Sequence, residues 1–329
     1  MLSYLVRRLL LASVTLFLTS LVIYGLIRNM PGDPISLEMA MDPNVRQSAE
    51  RRQILEELYG LNDKWPIGYA KWIRKVAVLN LGDSIPQKKT VAKAIGDRLG
   101  PTILLSGCSL LIAYVASIPM GLYCSARSGR LDERGFSIVL YALYSLPSYV
   151  TGLMLITFSF QYLVGTPFEL PLQGMTDPDY DKFSLAGKGV DIFKHMLLPL
   201  ICLTYGGLAY DTRFIKANME EAIRQDYIRT ARAKGASPLR VLLWHAFRNT
   251  LIPFVTILGI SLPALVGGAV ILEGIFNWPG MGQLFLGSIS SRDYPLTMGC
   301  TLMFTVLTLI GQLLADLTYA LVDPRITFK

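Results

Sequence analysis

The sequence predicts an all-α integral membrane protein with six transmembrane helices. A large extracytoplasmic segment follows the first helix, and a cytoplasmic loop joins the fourth helix to the fifth. Three observations predict this class: the composition, the long apolar runs and the distribution of Lys and Arg. Of the 329 residues, 52% are hydrophobic and 17% are charged, and the mean hydropathy is +0.43. Such a chain is too apolar for a disordered protein and carries too little charge for an ordinary soluble enzyme.

Six uncharged, mostly apolar runs provide the predicted transmembrane helices. A helix needs about 20 such residues to cross the hydrocarbon of a bilayer. The first run follows Arg7 and Arg8 and exceeds the roughly 7 to 15 residues of a signal-peptide core, so we expect an uncleaved anchor. The fourth run is short and needs additional turns or tilt. The six runs are 9–27, 103–124, 136–165, 196–210, 251–272 and 296–315.

The Lys and Arg residues predict the orientation of these helices, because short cytoplasmic loops are enriched in both. With the N-terminus inside, the cytoplasmic segments contain fifteen Lys and Arg, eight of them between Asp211 and Thr250. The short segments on the opposite side contain four. Both termini are therefore predicted to be cytoplasmic. The net charge of +7 therefore reflects Lys and Arg in cytoplasmic loops that lie beside membrane lipid, and it does not indicate nucleic-acid binding.

The chain divides into three predicted parts: an N-terminal transmembrane helix (1–30), an extracytoplasmic segment (31–101) and a core of five transmembrane helices (102–329). The extracytoplasmic segment mixes acidic with basic residues and includes helix-like stretches such as 51–59, so we expect it to be ordered. It either receives a soluble partner or caps the helices. Breaks within the spans mark either hinges or close helix packing. They are Pro119, Pro147, Pro199, Pro253, Pro263 and the Gly267–Gly268 pair.

Few side chains in this sequence offer catalytic or metal-binding chemistry. His195 and His245 are predicted on opposite sides of the membrane, so no nucleophile has a base beside it. No phosphate-binding loop pattern occurs, and Asp316 is the one acidic residue well inside an apolar run. We expect no catalytic residue, no metal and no cofactor bound by this chain. The cysteines lack metal-ligand spacing and are predicted to be small core residues. They are Cys108, Cys124, Cys202 and Cys300.

The cytoplasmic loop 213–250 predicts two short helices that meet at Gly235. In the first, an apolar stripe recurs every four residues, which indicates an amphipathic helix too polar to span a membrane. In the second, Ser237 is a candidate cap, Pro238 lies in the first turn, and a second apolar stripe follows. The first stripe comprises Met219, Ile223, Tyr227 and Ala231; the second comprises Leu239, Leu242, Leu243, Ala246 and Phe247.

Two uses of this glycine elbow are open from the residues alone. It can lie along the membrane with its basic face on anionic lipid. It can instead sit in a groove of a cytoplasmic partner and transmit that partner's movement into the adjoining helices.

The sequence Tyr-Ile-Arg-Thr-Ala-Arg-Ala-Lys-Gly at 227–235 closely resembles the coupling-loop motif of ABC-importer permeases, in the form found in the oligopeptide, dipeptide and nickel group. Other stretches resemble the same group in the same order along the chain. They are 30–34 (MPGDP), 58–62 (LYGLN), 248–253 (RNTLIP), 275–282 (IFNWPGMG), 292–295 (RDYP), 315–317 (ADL) and 323–325 (DPR).

The resemblance implies a permease subunit that forms half of a translocation path in a bacterial or archaeal cytoplasmic membrane. It implies a second, related permease as heterodimer partner, two ABC ATPase subunits that carry ATP and Mg²⁺, and an extracytoplasmic solute-binding protein. The loop is expected to dock into a cleft on an ATPase subunit. Its implied coupling residues are Glu221, Asp226, Tyr227, Arg229, Thr230, Ala231, Arg232, Ala233, Lys234 and Gly235.

This sequence departs from the broad permease motif, which reads Glu-Ala-Ala, three residues, then Gly. Arg229 and Thr230 replace its first two positions, while Ala231 and Gly235 match. The loop therefore lacks the carboxylate that the broad motif offers for binding a partner. Peptide is the expected cargo, with nickel or another small solute as the alternative within the group. A secondary transporter or channel without ATPase subunits is the rival outside it.

Overall fold

The computed structural model describes residues 2–29, 53, 56, 62–261, 265 and 269–322. Most of these residues are helical, and two two-residue strands form one antiparallel hairpin in which Asp83 pairs with Thr90 and Ser84 with Lys89. The elements are α1 (Leu2–Arg28), α2 (Trp65–Ala77), β1 (Asp83–Ser84), β2 (Lys89–Thr90), α3 (Val91–Ala126), α4 (Leu131–Ser145), α5 (Ser148–Tyr162), a 3₁₀ turn (Tyr180–Lys182), α6 (Leu185–Ile223), α7 (Asp226–Ala233), α8 (Pro238–Arg240), a π-helix (Val241–Phe247), α9 (Arg248–Ser261), α10 (Val270–Ile275), α11 (Met281–Ser290) and α12 (Tyr294–Val322).

Four helices are long and apolar enough to cross a membrane, among the residues that the structure describes. Their spanning parts are Val6–Arg28, Val91–Ala126, Leu185–Ile223 and Tyr294–Leu314. They coincide with the first, second, fourth and sixth predicted runs. The fifth predicted run, 251–272, includes residues outside the described set, so the count of six helices stays a prediction.

The third predicted run is not one straight helix. It is divided into α4 and α5, which are bent by 94° relative to each other. Pro147 causes the break, because the ring of a proline excludes the helical region for the residue before it. Leu146 is accordingly extended, with φ −80° and ψ 123°, and α5 begins directly after Pro147. Each half has 15 residues and is about 22 Å long, too short to span a bilayer alone.

The other described prolines leave their helices unbroken. Pro119 lies inside α3, Pro199 inside α6 and Pro253 inside α9. Neighbouring helices and local adjustments can satisfy the backbone groups that a proline frees in a membrane helix. Pro263 and the Gly267–Gly268 pair lie outside the described residues.

The short fourth run belongs to a much longer helix. α6 has 39 residues and is about 58 Å long, roughly twice the thickness of the hydrocarbon. Ser184 caps its start by accepting a hydrogen bond from the Gly187 N–H at 3.2 Å. The fourth run needs additional turns to span the membrane. The helix supplies them by extending beyond both ends of the run, to Leu185 and to Ile223.

The described residues form two compact units. The first comprises described residues within 1–100 and 280–310. In it, α2 packs on α1 through an aromatic cluster in which Ser20 Oγ and Tyr69 Oη lie 2.9 Å apart. Residues 62–100 are thus ordered, as predicted, while the stretch 51–59 lies almost wholly outside the described residues. The cluster contains Tyr24, Trp65, Tyr69 and Trp72.

The second unit comprises described residues within 101–279 and 311–327. Its core includes buried residues from α3, α6, α7 and α9 and from the π-helix, and a second group joins α6 to α10.

The predicted core role of cysteine holds for Cys124, Cys202 and Cys300, which are buried, while Cys108 is half-buried.

Candidate functional site

The chain turns sharply at the end of α6, in the segment that the sequence marks as an elbow; we call residues 224–250 the elbow. The predicted single amphipathic helix through Met219, Ile223, Tyr227 and Ala231 is wrong. α6 ends at Ile223, and Gln225 is extended with φ −72° and ψ 153° before α7 begins. The extended residue changes the direction and the phase of the helix. Tyr227 is consequently 40% exposed, and Ile228 takes the inward position.

α7 is fixed to the second unit by its inner face. Ile228 is fully buried and Ala231 is 8% exposed, three residues apart on one side of the helix. Ile228 packs into an apolar cluster that draws on α3, α6, α9 and the π-helix. Because these elements all contact one cluster, movement of α7 is transmitted to them by packing. The other buried members are Tyr114, Ile215, Met219, Ala222, Val241, Ala246 and Phe254.

Gly235 ends α7 through a paired hydrogen-bond pattern. Its φ is +80°, the left-handed region that non-glycine residues rarely adopt. The Gly235 N–H donates to the Arg232 carbonyl at 2.9 Å, and the Ala236 N–H donates to the Ala231 carbonyl at 3.1 Å. These two bonds form a Schellman motif, and Ala236 packs on the apolar cluster as the motif favours. The predicted turn at Gly235 is confirmed, with the glycine required by its backbone conformation.

The second half of the elbow begins as predicted but continues differently. Pro238 is the first helical residue, and the Ser237 side chain makes no capping hydrogen bond. From Val241 to Phe247 the chain is a π-helix, in which hydrogen bonds join residues five apart. The predicted apolar stripe is therefore wrong in part. Val241 and Ala246, five apart, are buried, whereas Leu239 is 65% exposed.

The predicted coupling residues lie mostly on the exposed side of α7 and its ends. Glu221 is exposed in the last turn of α6, and Ala231 points into the core. Thr230 Oγ1 donates to the Asp226 carbonyl at 3.1 Å, within the helix. The remaining exposed candidates are Asp226, Tyr227, Arg229, Thr230, Arg232, Ala233, Lys234 and Gly235.

The exposed surface of α7 is basic. Arg229, Arg232 and Lys234 are exposed against a single carboxylate, that of Asp226. Asp226 lies 3.3 Å from the Arg229 guanidinium, and both side chains are largely in solvent. An ion pair this exposed contributes at most about 1 kcal/mol and leaves both charges accessible to a partner. Asp226 also lies in the first turn, where a negative charge favours the helix dipole.

A buried carboxylate connects the last turns of α6 to α4. Glu133 is 2% exposed and accepts hydrogen bonds from Lys216 Nζ and Ser137 Oγ, both at 2.6 Å, and from the Gly129 N–H at 3.2 Å. The buried charge is thereby paired and its oxygens are satisfied. The network fixes the part of α6 that leads into the elbow.

Comparison with known proteins identifies the family. Residues 117–328 match the family described as the binding-protein-dependent transport system inner membrane component, and residues 1–106 match its N-terminal membrane component. The chain belongs to this family. It is therefore a permease subunit of a membrane transport system, and the predicted resemblance to ABC-importer permeases is confirmed.

Similar proteins cover the permease from end to end. It is 37% identical over 329 residues to the oligopeptide transport system permease protein AppB of Bacillus subtilis, covering 100% of both chains. It is 33% identical over 343 residues to the dipeptide transport system permease protein DppB of Escherichia coli, again covering 100% of both chains. A solved structure of the MetNI methionine ABC transporter matches with a TM-score of 0.53 and 19% identity, covering 70% of the permease and 96% of that chain. This last match shows the fold alone.

The predicted stripes include some of the inward-facing residues of the elbow but not all of them. Ala231 and Ala246 lie on the stripes and are buried, whereas Ile228 and Val241, at most 3% exposed, lie on neither. One signal was available. Asp226 in a first turn is typical of a new helix start, and a restart there places Ile228 and Ala231 on one face. The π-helix has no comparable signal, because its period follows from the packing around it.

Two motifs that follow the fifth predicted span, 275–282 and 292–295, contain buried residues that form tertiary hydrogen bonds. Trp278 is fully buried, and its indole N–H donates to the Pro101 carbonyl at 3.0 Å in the second unit. In the first unit, Asp293 caps α12 by accepting from the Leu296 N–H at 3.2 Å, and it accepts a short hydrogen bond from Ser84 Oγ. Burial raises the pKa of Asp293, and these hydrogen bonds partly oppose that shift. The stretches 30–34, 58–61 and 323–325 lie outside the described residues.

Proposed function

We propose that this permease forms half of the path of an ATP-driven peptide importer and that its elbow receives an ATPase subunit. The proposal of peptide as the cargo rests on full-length similarity to permeases named for oligopeptide and dipeptide transport. The geometry of the elbow supports the docking. α7 presents a basic, polar surface on one side and is locked into the helix bundle on the other.

The proposed mechanism uses this two-sided arrangement. When ATP closes the ATPase subunits, the cleft that holds α7 moves. Ile228 passes that movement to the π-helix and to the residues of α6, α9 and α3 that share its apolar cluster. A ligand-driven change of this kind requires that the elbow bind differently in the two states of the ATPases. The Schellman turn at Gly235 keeps α7 at a fixed angle to the π-helix during the movement.

The assembly contains, in this proposal, a second related permease, two ABC ATPase subunits with ATP and Mg²⁺, and an extracytoplasmic binding protein. The permease lies in a bacterial or archaeal inner membrane with both termini cytoplasmic. Its parts are the anchor helix (1–30), the extracytoplasmic segment (31–101) and the core (102–329) with the coupling loop 213–250. The proposed coupling residues are Glu221, Asp226, Tyr227, Arg229, Thr230, Ala231, Arg232, Ala233, Lys234 and Gly235.

The assembly is tested by purifying the tagged permease from its native membrane in mild detergent and identifying its companions by mass spectrometry. We expect a second permease and P-loop ATPases in a stable ratio. The purified assembly, reconstituted in liposomes with its binding protein, should take up labelled di- and oligopeptides when ATP is present. Isolation of the permease alone, with solute transport in liposomes that lack ATP, would favour a secondary transporter.

Docking is tested by neutralising the basic surface of α7. The variant Arg229→Gln/Arg232→Gln/Lys234→Gln should assemble in the membrane but retain less of the ATPase subunits and lose most ATP-driven uptake. Arg134→Gln, an exposed cation in α4, is the matched control and should leave both unchanged. Normal ATPase retention by the triple variant would contradict docking through this face.

A further inference from the structure

An open groove lies beside the π-helix, on the side of the elbow away from the apolar cluster. Its volume is about 720 Å³. Trp244 is 67% exposed, Leu239 65% and Leu243 38%, so the groove has an apolar wall. It is lined by Ser237, Leu239, Arg240, Leu243, Trp244, His245 and Arg248.

The charges that line this groove are all positive. Arg240 and Arg248 lie four residues on either side of Trp244, and neither forms an ion pair within the part of the chain that the structure describes. Among the residues that the structure describes, no acidic side chain lines the groove. A ligand that complements this groove therefore carries a negatively charged group joined to an apolar group.

The position of the groove along the chain places it at a membrane boundary. Arg248 precedes the apolar run 251–272 by three residues, about one helical turn. Trp and Arg at the end of a membrane helix are typical of the headgroup region, and Arg is enriched on the cytoplasmic side. α7 differs in this respect, because Tyr227 is the one large apolar side chain on its exposed surface.

We propose that the groove holds an anionic phospholipid of the cytoplasmic leaflet. Arg240 and Arg248 bind the phosphate and headgroup, while Trp244, Leu239 and Leu243 lie against the glycerol and upper acyl chains. The inference uses the proposed orientation of the permease and is independent of its cargo. Lipid bound here stabilises the π-helix directly before α9, so the elbow rests on the membrane with one half and offers the other half to the ATPase.

The experiment measures which lipid contacts Trp244. The complete importer, with its partner subunits, is reconstituted in phosphatidylcholine containing a minor fraction of phosphatidylglycerol. Bromine, which quenches tryptophan fluorescence on contact, is placed either on the phosphatidylglycerol or on an equal amount of the phosphatidylcholine. The difference between the unmodified importer and the Trp244→Phe variant isolates the signal of Trp244 from that of all other tryptophans.

We expect brominated phosphatidylglycerol to quench Trp244 much more strongly than brominated phosphatidylcholine. Two basic residues at an anionic surface, at about 1 kcal/mol each, correspond to a preference of roughly 30-fold, which added salt should reduce. Arg240→Gln/Arg248→Gln should bring the preference close to one, and Arg240→Lys/Arg248→Lys should retain most of it. Arg134→Gln, which removes an exposed cation from α4 but none from the groove, should leave it unchanged.

Two results would overturn the proposal. Equal quenching by the two brominated lipids in the unmodified importer would show that the arginines do not select an anionic headgroup. Absence of quenching by either lipid would show that a protein subunit covers Trp244. Both results are independent of whether the importer takes up peptide, so failure of this inference is distinguishable from failure of the proposed function.

Discussion

The two halves of the elbow share a basic composition but present opposite surfaces. α7 buries Ile228 and Ala231, three residues apart, and exposes a polar face with Arg229, Arg232 and Lys234. The π-helix buries Val241 and Ala246, five residues apart, and exposes Trp244 and Leu243, next to the exposed Leu239 of α8. The difference shows that the hydrogen-bond period of a helix determines which of its side chains are buried and which are exposed. One loop thereby carries a surface suited to a protein partner and another suited to a membrane.

The largest expected effect comes from removing the anchor of α7. Ile228→Ala leaves a cavity in the apolar cluster and should lower the free energy of unfolding by about 3 kcal/mol. Tyr227→Ala, one residue away on the exposed side, is the matched control and should change it by less than about 1 kcal/mol. Thermal unfolding of the purified importer measures both. Equal losses would mean that the original stripe through Tyr227 faces the core.

The joint between the halves is tested at Gly235. Proline there lacks the N–H that donates to Arg232, and its fixed φ is incompatible with +80°. Gly235→Pro should cost about 2 kcal/mol and leave the chain inserted in the membrane while ATP hydrolysis continues without uptake. Gly235→Asn, which tolerates a left-handed backbone, should retain most uptake. Normal uptake by the proline variant would contradict a coupling role for this turn.

The five-residue spacing of the π-helix predicts a smaller difference. Val241→Ala removes buried methyl groups and should cost about 1 to 2 kcal/mol. Leu243→Ala, which lies on the originally predicted stripe and inside the π-helix but is exposed, should cost less than about 1 kcal/mol. Thermal midpoints of the two variants decide between a period of five and the ordinary helical period. A greater loss at Leu243 would favour the ordinary period.

The smallest expected effect concerns the exposed ion pair of α7. Asp226→Asn breaks the contact with Arg229 and removes a negative charge from the first turn of α7, but both groups are well hydrated, so the free energy of unfolding should fall by less than about 1 kcal/mol. The same substitution removes the one acidic charge from the exposed surface of α7. Titration of the reconstituted permeases with purified ATPase subunits therefore separates stability from docking. A clear drop in the midpoint would show that this pair is structural.

The sequence determined the class of the protein and the position of the elbow. Apolar runs of sufficient length specify membrane helices wherever they lie, because the bilayer requires an internally hydrogen-bonded backbone. Four of the six predicted runs coincide with long helices of the structure. The turn at Gly235 was also predictable, since a left-handed residue that ends a helix favours glycine.

The tertiary structure decided which faces the helices present. The break before Pro147 follows a local rule, but its 94° angle depends on the neighbours that receive α5. The restart at Asp226 and the π-helix are decided by packing on the cluster around Met219, because burying Ile228, Val241 and Ala246 together outweighs the regular helical period. The residue pattern of one segment reflects its local conformational preference. Which face of a helix is buried depends on all the elements that pack around the same core.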